Sequence, residues 1–193
     1  MISNSKKIIL SSASPARLKL LEVAGFSVIV KPTDTEEILR YKDPIKAATD
    51  IAMQKMETYL RIHGKPTLPL LTVDTLISFK DRFIGKQADR ESARTILSEF
   101  SDNTHFVHTG AVISLPNHNE LITLTDHAEI SFFSLKPHDI ETYLDTEEWI
   151  GAAGAYRIQK TGISLVKSLD GDYYSVVGLP LMKIFGILRG QSY

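Results

Sequence analysis

A chain of 193 residues is long enough to bury one substantial core, or two small lobes sharing one. Its 43% hydrophobic and 23% charged residues are those of a folded soluble protein, and a net charge of −1 leaves no basic field for stable binding of nucleic acid or an anionic membrane. The absence of cysteine removes disulfides, thiolate zinc sites and thiol nucleophiles, and suits a cytoplasmic protein. No apolar run approaches the roughly 20 residues needed to span a bilayer. Lys6-Lys7 ahead of Ile8-Ile9-Leu10 mimics the start of a signal peptide, but the apolar part is too short.

Ile8-Ile9-Leu10 reads as the end of a buried strand. The small residues Ser11-Ser12-Ala13-Ser14 follow, then an amphipathic helix with Leu18, Leu21, Val23 and Ala24 facing inward. Ser14 suits the N-cap, Pro15 the first helical position and Gly25 the C-terminal cap. Such a strand-to-helix turn aims unpaired N–H groups and a helix dipole at one spot, which favours an anion. Arg17 adds a fork suited to phosphate. An ordinary capped turn has the same pattern. Phe26 to Lys31 reads as a strand, and Thr33-Asp34-Thr35-Glu36-Glu37 as an acidic loop. That loop is either solvated surface or, since it leaves the strand after the opening helix, a neighbour of the anion site.

Asp43-Pro44 opens a second helix, which Gly64 and Pro66 close. Ile45, Ala48, Ile51, Ala52, Met56, Tyr59 and Ile62 fall on one arc, and Lys55 lies inside it. Either the lysine stem covers the core while the ammonium reaches out, or its charge is needed in a cleft. Leu68 to Ile77 reads as a strand buried on both faces, with Asp74 in its middle. Burying a carboxylate costs several kcal/mol unless a cation or a hydrogen-bond donor meets it, so Asp74 is either a structural aspartate capping a neighbouring loop or a functional one. Lys80-Asp81-Arg82 makes a turn, and Phe83-Ile84-Gly85-Lys86 returns from it.

Asp89 caps a helix with Ala93, Ile96, Leu97 and Phe100 inward. Thr104 to Leu115 and Leu121 to Phe133 are long strands joined through a Pro116-Asn117-His118-Asn119 hairpin. His105 and His108, three apart on a strand, point to opposite faces and are not a metal pair. Pro137 starts a helix carrying Ile140, Tyr143 and Leu144. Gly151 to Tyr156 is small and flexible without matching a dinucleotide or P-loop motif. Ile163 to Leu169 reads as a strand, Asp170-Gly171 as a hairpin turn, and Pro180 as the start of a last helix with Leu181, Ile184, Phe185 and Leu188 inward.

In order, Ser12 to Pro15, Glu36-Glu37, Lys55-Met56, Thr72-Val73-Asp74-Thr75, Gly85-Lys86-Gln87, Thr109-Gly110, Gly154 to Gln159 and Gly171 to Pro180 make a set that resembles the Maf family of nucleoside triphosphate pyrophosphatases. Each stretch is weak alone; the ordered set is specific and spans nearly the whole chain. The resemblance implies one Maf-like domain over residues 1–193 with an α/β fold: two lobes around a central twisted mixed sheet with a cleft between them, similar to inosine-triphosphatase-like enzymes. It implies hydrolysis of a nucleotide to its monophosphate and pyrophosphate with a divalent metal. Asp74 matches the proton acceptor, and Ser12, Arg17, Glu37, Lys55 and Lys86 match the phosphate and metal shell. In the branch that prefers dTTP and UTP, the base-selecting positions fall on Ala16, Thr75 and Gln159. Ala16 stands where the family usually has the first of two arginines, and Arg157 and Lys160 replace usual glycines. Homodimers are common in the family, whose name derives from an effect on septum formation.

The chemistry agrees with that reading. Splitting a triphosphate between its α and β phosphorus needs cations and a metal, not a covalent nucleophile. Glu37 and Asp74 are hard oxygen ligands for Mg²⁺ or Mn²⁺, Asp74 is also a candidate general base, and the Gln159 amide offers a donor and an acceptor to a pyrimidine edge. Two other readings stand beside it. One is a haloacid-dehalogenase-type phosphatase built on Asp170-Gly171-Asp172, although Tyr174 stands where that motif needs a small residue. The other is a nucleotide-binding regulator of cell division without turnover.

Overall fold

The computed structural model describes residues 7–116 and 118–189. Lys6, and Asn117 of the expected hairpin, lie outside the described residues. The strands are β1 (Lys7–Leu10), β2 (Ser27–Val30), β3 (Leu70–Phe79), β4 (Arg82–Ile84), β5 (Thr104–Ser114), β6 (Leu121–Phe132) and β7 (Val166–Gly171). The helices are α1 (Pro15–Val23), α2 (Pro44–His63), α3 (Arg90–Phe100), α4 (Pro137–Leu144), α5 (Tyr173–Val177) and α6 (Leu181–Arg189). One mixed sheet runs β2-β1-β3-β5-β6-β7, with β4 paired to β3. The α/β class is the expected one. The chain divides into two compact units, and β3, β5 and β6 each contribute residues to both.

The first unit holds Met1–Thr75, Thr109–Asp126 and Gly178–Tyr193. Here β1 pairs in parallel with both β2 and β3. Alternation along the strands sorts the side chains by face. Ile8, Leu10, Leu71, Val73, Ala111 and Ile113 pack with Leu21 of α1 and Leu181, Ile184 and Leu188 of α6. Ile9, Leu70 and Val112 pack on the other face with Ala52, Met56 and Tyr59 of α2. Ser14 and Asp43 cap α1 and α2 through their side chains, as their positions before proline predict.

The second unit holds Leu76–His108 and His127–Val177. Its core gathers Ile77, Phe79, Leu97, Phe100, Ile130, Phe132, Leu144 and Trp149. Lys80 and Asp81 take positive φ in the turn between β3 and β4, and Asp89 and Ser92 form a reciprocal cap on α3.

Four expectations are corrected. Val23, at the end of α1, is 74% exposed because the chain leaves the helix there through Ala24 and Gly25. Ile45 and Ile62 stand exposed at the two ends of α2, beyond the reach of the sheet its middle covers. Residues Thr161–Leu165 form a 3₁₀ turn, so the strand begins only at Val166. The Glu148 carboxylate holds the start of that turn, accepting from Thr161 N at 3.0 Å and Thr161 Oγ1 at 2.7 Å. Lastly, Asp170 and Gly171 make no hairpin turn; they pair in β7 with Glu129 and Ala128. A Cβ on Gly171 would meet the Ala128 Cβ at 2.6 Å, so this glycine serves close strand approach.

Candidate functional site

The site in the first unit starts from the period of β3. Thr72 and Asp74 share the face turned to α2. The Thr72 hydroxyl donates to the Ala52 carbonyl at 2.8 Å, and one turn further along the helix Lys55 Nζ donates to Asp74 Oδ1 at 2.6 Å. Gly110, on β5, lets α2 lie this close: a Cβ there would meet the Ala48 and Thr49 backbone at 2.5 Å. Lys55 Nζ also reaches Glu37 Oε1 at 2.8 Å. The Lys55 ammonium therefore does not reach out to solvent but rests on two carboxylates.

Ser12 follows the end of β1, Glu37 lies in the segment after β2, and Asp74 is in β3. These strands are parallel, and ligands of open parallel sheets gather beyond their carboxyl ends. Asp74 is buried, and that burial raises its pKa despite the opposing charges of Lys55 and Arg17; the Glu37 charge adds to the rise. Its Oδ2 is buried with no hydrogen-bond partner among the described residues. Asp74 thus keeps a hard oxygen that neither Lys55 nor another described group occupies.

Val73 and Thr75 point the other way, toward α1. Arg17 Nε donates to the Gly178 carbonyl at 2.9 Å. Its Nη1 donates to Ser12 Oγ and to the Val73 carbonyl, each at 3.0 Å, and Nη2 to Thr75 Oγ1 at 3.2 Å. The fork expected to face phosphate is therefore mostly spent on the protein, because Val73, Thr75 and Gly178 bring acceptors to it that the sequence order hides. Burial lowers the guanidinium pKa, against the raising fields of Asp74 and Glu37. Thr75 Oγ1 also lies 3.0 Å from Thr109 Oγ1. Gly178 has a φ of +110°, and a Cβ there would press on Arg17 Nε and Thr75 Oγ1 at 3.3 Å. Ala16 is partly exposed beside Arg17.

Lys86 and Gln159 belong to the second unit, and both are exposed. Lys86 follows β4 and bridges Ala153, and the Gly154 N–H donates to the Gly85 carbonyl at 3.2 Å. Gly154 has a φ of +69°, and a Cβ there would meet Ile77 Cδ1 at 2.6 Å. Arg157, in place of a family glycine, donates to the carbonyls of Glu148 and Ile150 at 2.9 and 2.8 Å. His105 Nε2 lies 2.8 Å from the Tyr156 hydroxyl, and His108 Nε2 lies 2.8 Å from Ser78 Oγ. The two histidines thus have separate partners. Asp172 does not act as a free acid beside Asp170: it caps α5, accepting from Ser175 N at 3.1 Å and Ser175 Oγ at 2.9 Å. With Asp170 and Gly171 inside β7, the haloacid-dehalogenase arrangement is lost.

Sequence reasoning missed Gln54, Thr109 as the partner of Thr75, and the Gly178 carbonyl. Gln54 carried no signal in the sequence, because its burial shows only in the structure.

The family described as Maf-like protein matches residues 7–191. A dTTP/UTP pyrophosphatase from Halalkalibacterium halodurans is 38% identical over 97% of both chains. Those from Bacillus cytotoxicus and Pyrococcus furiosus are 35% and 36% identical, each over 95% of both chains. The Staphylococcus aureus Ham1 protein, a solved structure, aligns with 68% of this chain and 74% of its own at 15% identity, with a TM-score of 0.48. With the family match running almost from end to end, and with relatives above 30% identity over nearly their full length, the chain belongs to the Maf family.

Proposed function

We propose that the chain hydrolyses a pyrimidine nucleoside triphosphate, dTTP or UTP, to the monophosphate and pyrophosphate. The observation that carries this is the Asp74 carboxyl: buried, raised in pKa by that burial, with one oxygen on Lys55 and the other without a partner. The names of the relatives support the same reaction.

A water oxygen bonds to the α-phosphorus, and the bond from that phosphorus to the bridging oxygen breaks, its electron pair leaving with pyrophosphate. The water's proton goes to Asp74, at the oxygen that Lys55 leaves free. Lys55 holds Asp74 and Glu37 together against their mutual repulsion. Mg²⁺ or Mn²⁺ fits this donor set, since Mg²⁺ takes one or two carboxylates and completes its shell with phosphate and water; Glu37 and Asp74 would hold it. When bound, such a cation shields charge on the phosphate oxygens. Ser12, Lys86 and the remaining Arg17 donor are the proposed phosphate contacts. Ala16, Thr75 and Gln159 are the proposed base-reading positions. Arg17 serves chiefly to fix Ser12 and Thr75.

We place this activity in the cytoplasm and in a homodimer, without nucleic acid or membrane as partner. A net charge of −1 supports the last of these, since it leaves no basic field for nucleic acid or an anionic membrane; no helix among the described residues is long and apolar enough to cross a membrane. The test is a panel of nucleoside triphosphates with Mg²⁺ or Mn²⁺, scoring both phosphate products. Metal-dependent pyrophosphate release, strongest with dTTP or UTP, is expected. Orthophosphate release overturns the reading, and nucleotide binding without turnover favours the cell-division regulator instead.

A further inference from the structure

Glu37 belongs to no strand or helix. The side chains that follow it do not anchor it either, because Ile38, Leu39 and Tyr41 are all exposed. The start of the segment is tied by the 3.2 Å contact between Thr33 Oγ1 and Ser11 Oγ. Among the described residues, the backbone beyond Thr35 is held by one buried side chain, that of Gln54. Its Oε1 accepts the Ile38 N–H at 2.9 Å, and its Nε2 donates to the Ile38 carbonyl at 2.8 Å. One amide thus meets both backbone groups of one residue, as a neighbouring strand does. Nε2 also donates to Asp50 Oδ2 at 2.6 Å, which orients the amide, and Asp50 Oδ1 meets Arg40 Nη1 at 3.4 Å.

Ile38 adjoins Glu37, and Gln54 adjoins Lys55. The clamp therefore joins the segment that carries one carboxylate to the helix that carries the ammonium. A carboxylate on an untethered loop loses conformational freedom on binding a ligand, and a tethered one has lost it already. We infer that Gln54 is a positioning residue: it holds Glu37 beside Lys55 and Asp74, and so sets the affinity for the divalent cation that Glu37 and Asp74 would bind. The metal part of this inference rests on the proposed function. The clamp itself does not.

The experiment compares the full chain with its Gln54→Leu and Asp50→Asn variants. Mn²⁺ binding without nucleotide is followed by electron paramagnetic resonance, tryptic cleavage after Arg40 and Lys42 by mass spectrometry, and pyrophosphate release across a range of Mg²⁺. Gln54→Leu is expected to weaken Mn²⁺ about 10–100-fold and to raise the half-saturating Mg²⁺ in parallel, as loss of a ligand-orienting partner does. Its kcat at saturating Mg²⁺ stays within about threefold. Cleavage after Arg40 speeds up about tenfold as the segment opens locally. Asp50→Asn, which keeps the glutamine, shifts all three readouts in the same direction by less, and it decides the question if Gln54→Leu fails to fold. Unchanged Mn²⁺ affinity and cleavage overturn the inference; so does a general loss of kcat and thermal stability with metal dependence intact. If the unmodified chain binds no Mn²⁺ and releases no pyrophosphate, the proposed function and the metal part fall with it. The cleavage rates still decide the clamp.

Discussion

At the scale of single residues, Asp74 sets the behaviour to be tested. Its pKa is raised because burial penalises the carboxylate more than Lys55 and Arg17 relieve it. A raised folded-state pKa means that the folded protein binds this proton more tightly than the unfolded chain does. Ionised Asp74 thus costs stability at neutral pH, and acidification through its folded pKa returns it. As a general base it must be ionised, so kcat/KM should rise with pH through an inflection above the ordinary carboxylate range. Asp74→Asn should lower kcat by about 10²–10⁴-fold, abolish that inflection and leave the melting temperature equal or higher. Near-full activity in this variant would remove Asp74 from the mechanism. Arg17 teaches a different lesson. An arginine in the first turn of a helix invites a phosphate reading, yet the acceptors of Ser12, Val73, Thr75 and Gly178 claim most of its donors.

At the scale of elements, the contact between α2 and the sheet delivers Lys55 to Asp74. It depends on a glycine. Gly110→Ala would drive a methyl into the Ala48 and Thr49 backbone, and overpacking of this kind costs about 1–3 kcal/mol. We expect a matching fall in the denaturation midpoint, and a loss of pyrophosphate release at temperatures where the variant is still folded, because α2 must lift away from β3. Full activity with unchanged stability would show that the helix does not need this approach. Caps were readable element by element: Ser14, Asp43 and Asp89 each stand where a side-chain oxygen meets an orphan N–H. The run from Ile163 to Leu169 was not readable in the same way. Its first half is bent by the Glu148 carboxylate, which lies 13 residues before Thr161.

At the scale of the whole molecule, the two units carry opposite proton linkages. In the second unit, burial pushes His105 down to about 3 from 6.5, with its ring stacked on Phe100 at 4.0 Å. The unfolded chain takes this proton first, so the folded unit loses stability as pH falls from 6.5, at about 1.4 kcal/mol for each unit of pH until the folded-state pKa is reached. Asp74 in the first unit has the reverse sign. The only tryptophan of the chain, Trp149, lies in the core of the second unit. Its fluorescence should therefore report a falling urea midpoint between about pH 6.5 and pH 4. His105→Phe should flatten that slope while lowering stability at neutral pH, since Tyr156 loses its partner. A slope unchanged in the variant would clear His105 of the effect.

The sequence alone determined what depends on local order: the buried run of β3, the caps, the glycine stops after α1 and α2 and the ordered motifs that mark the family. Lys55 stood out as a cation on an apolar helical arc, and Asp74 as a charge inside a continuous apolar strand, because each breaks its local pattern. The tertiary structure decided which partners those charges meet. That Lys55 serves Glu37 and Asp74 together, that Arg17 is held by groups up to 161 positions away, and that Gln54 holds the Glu37 segment all depend on pairings between distant stretches. Such pairings follow from how helices dock on a sheet, and no local period encodes them.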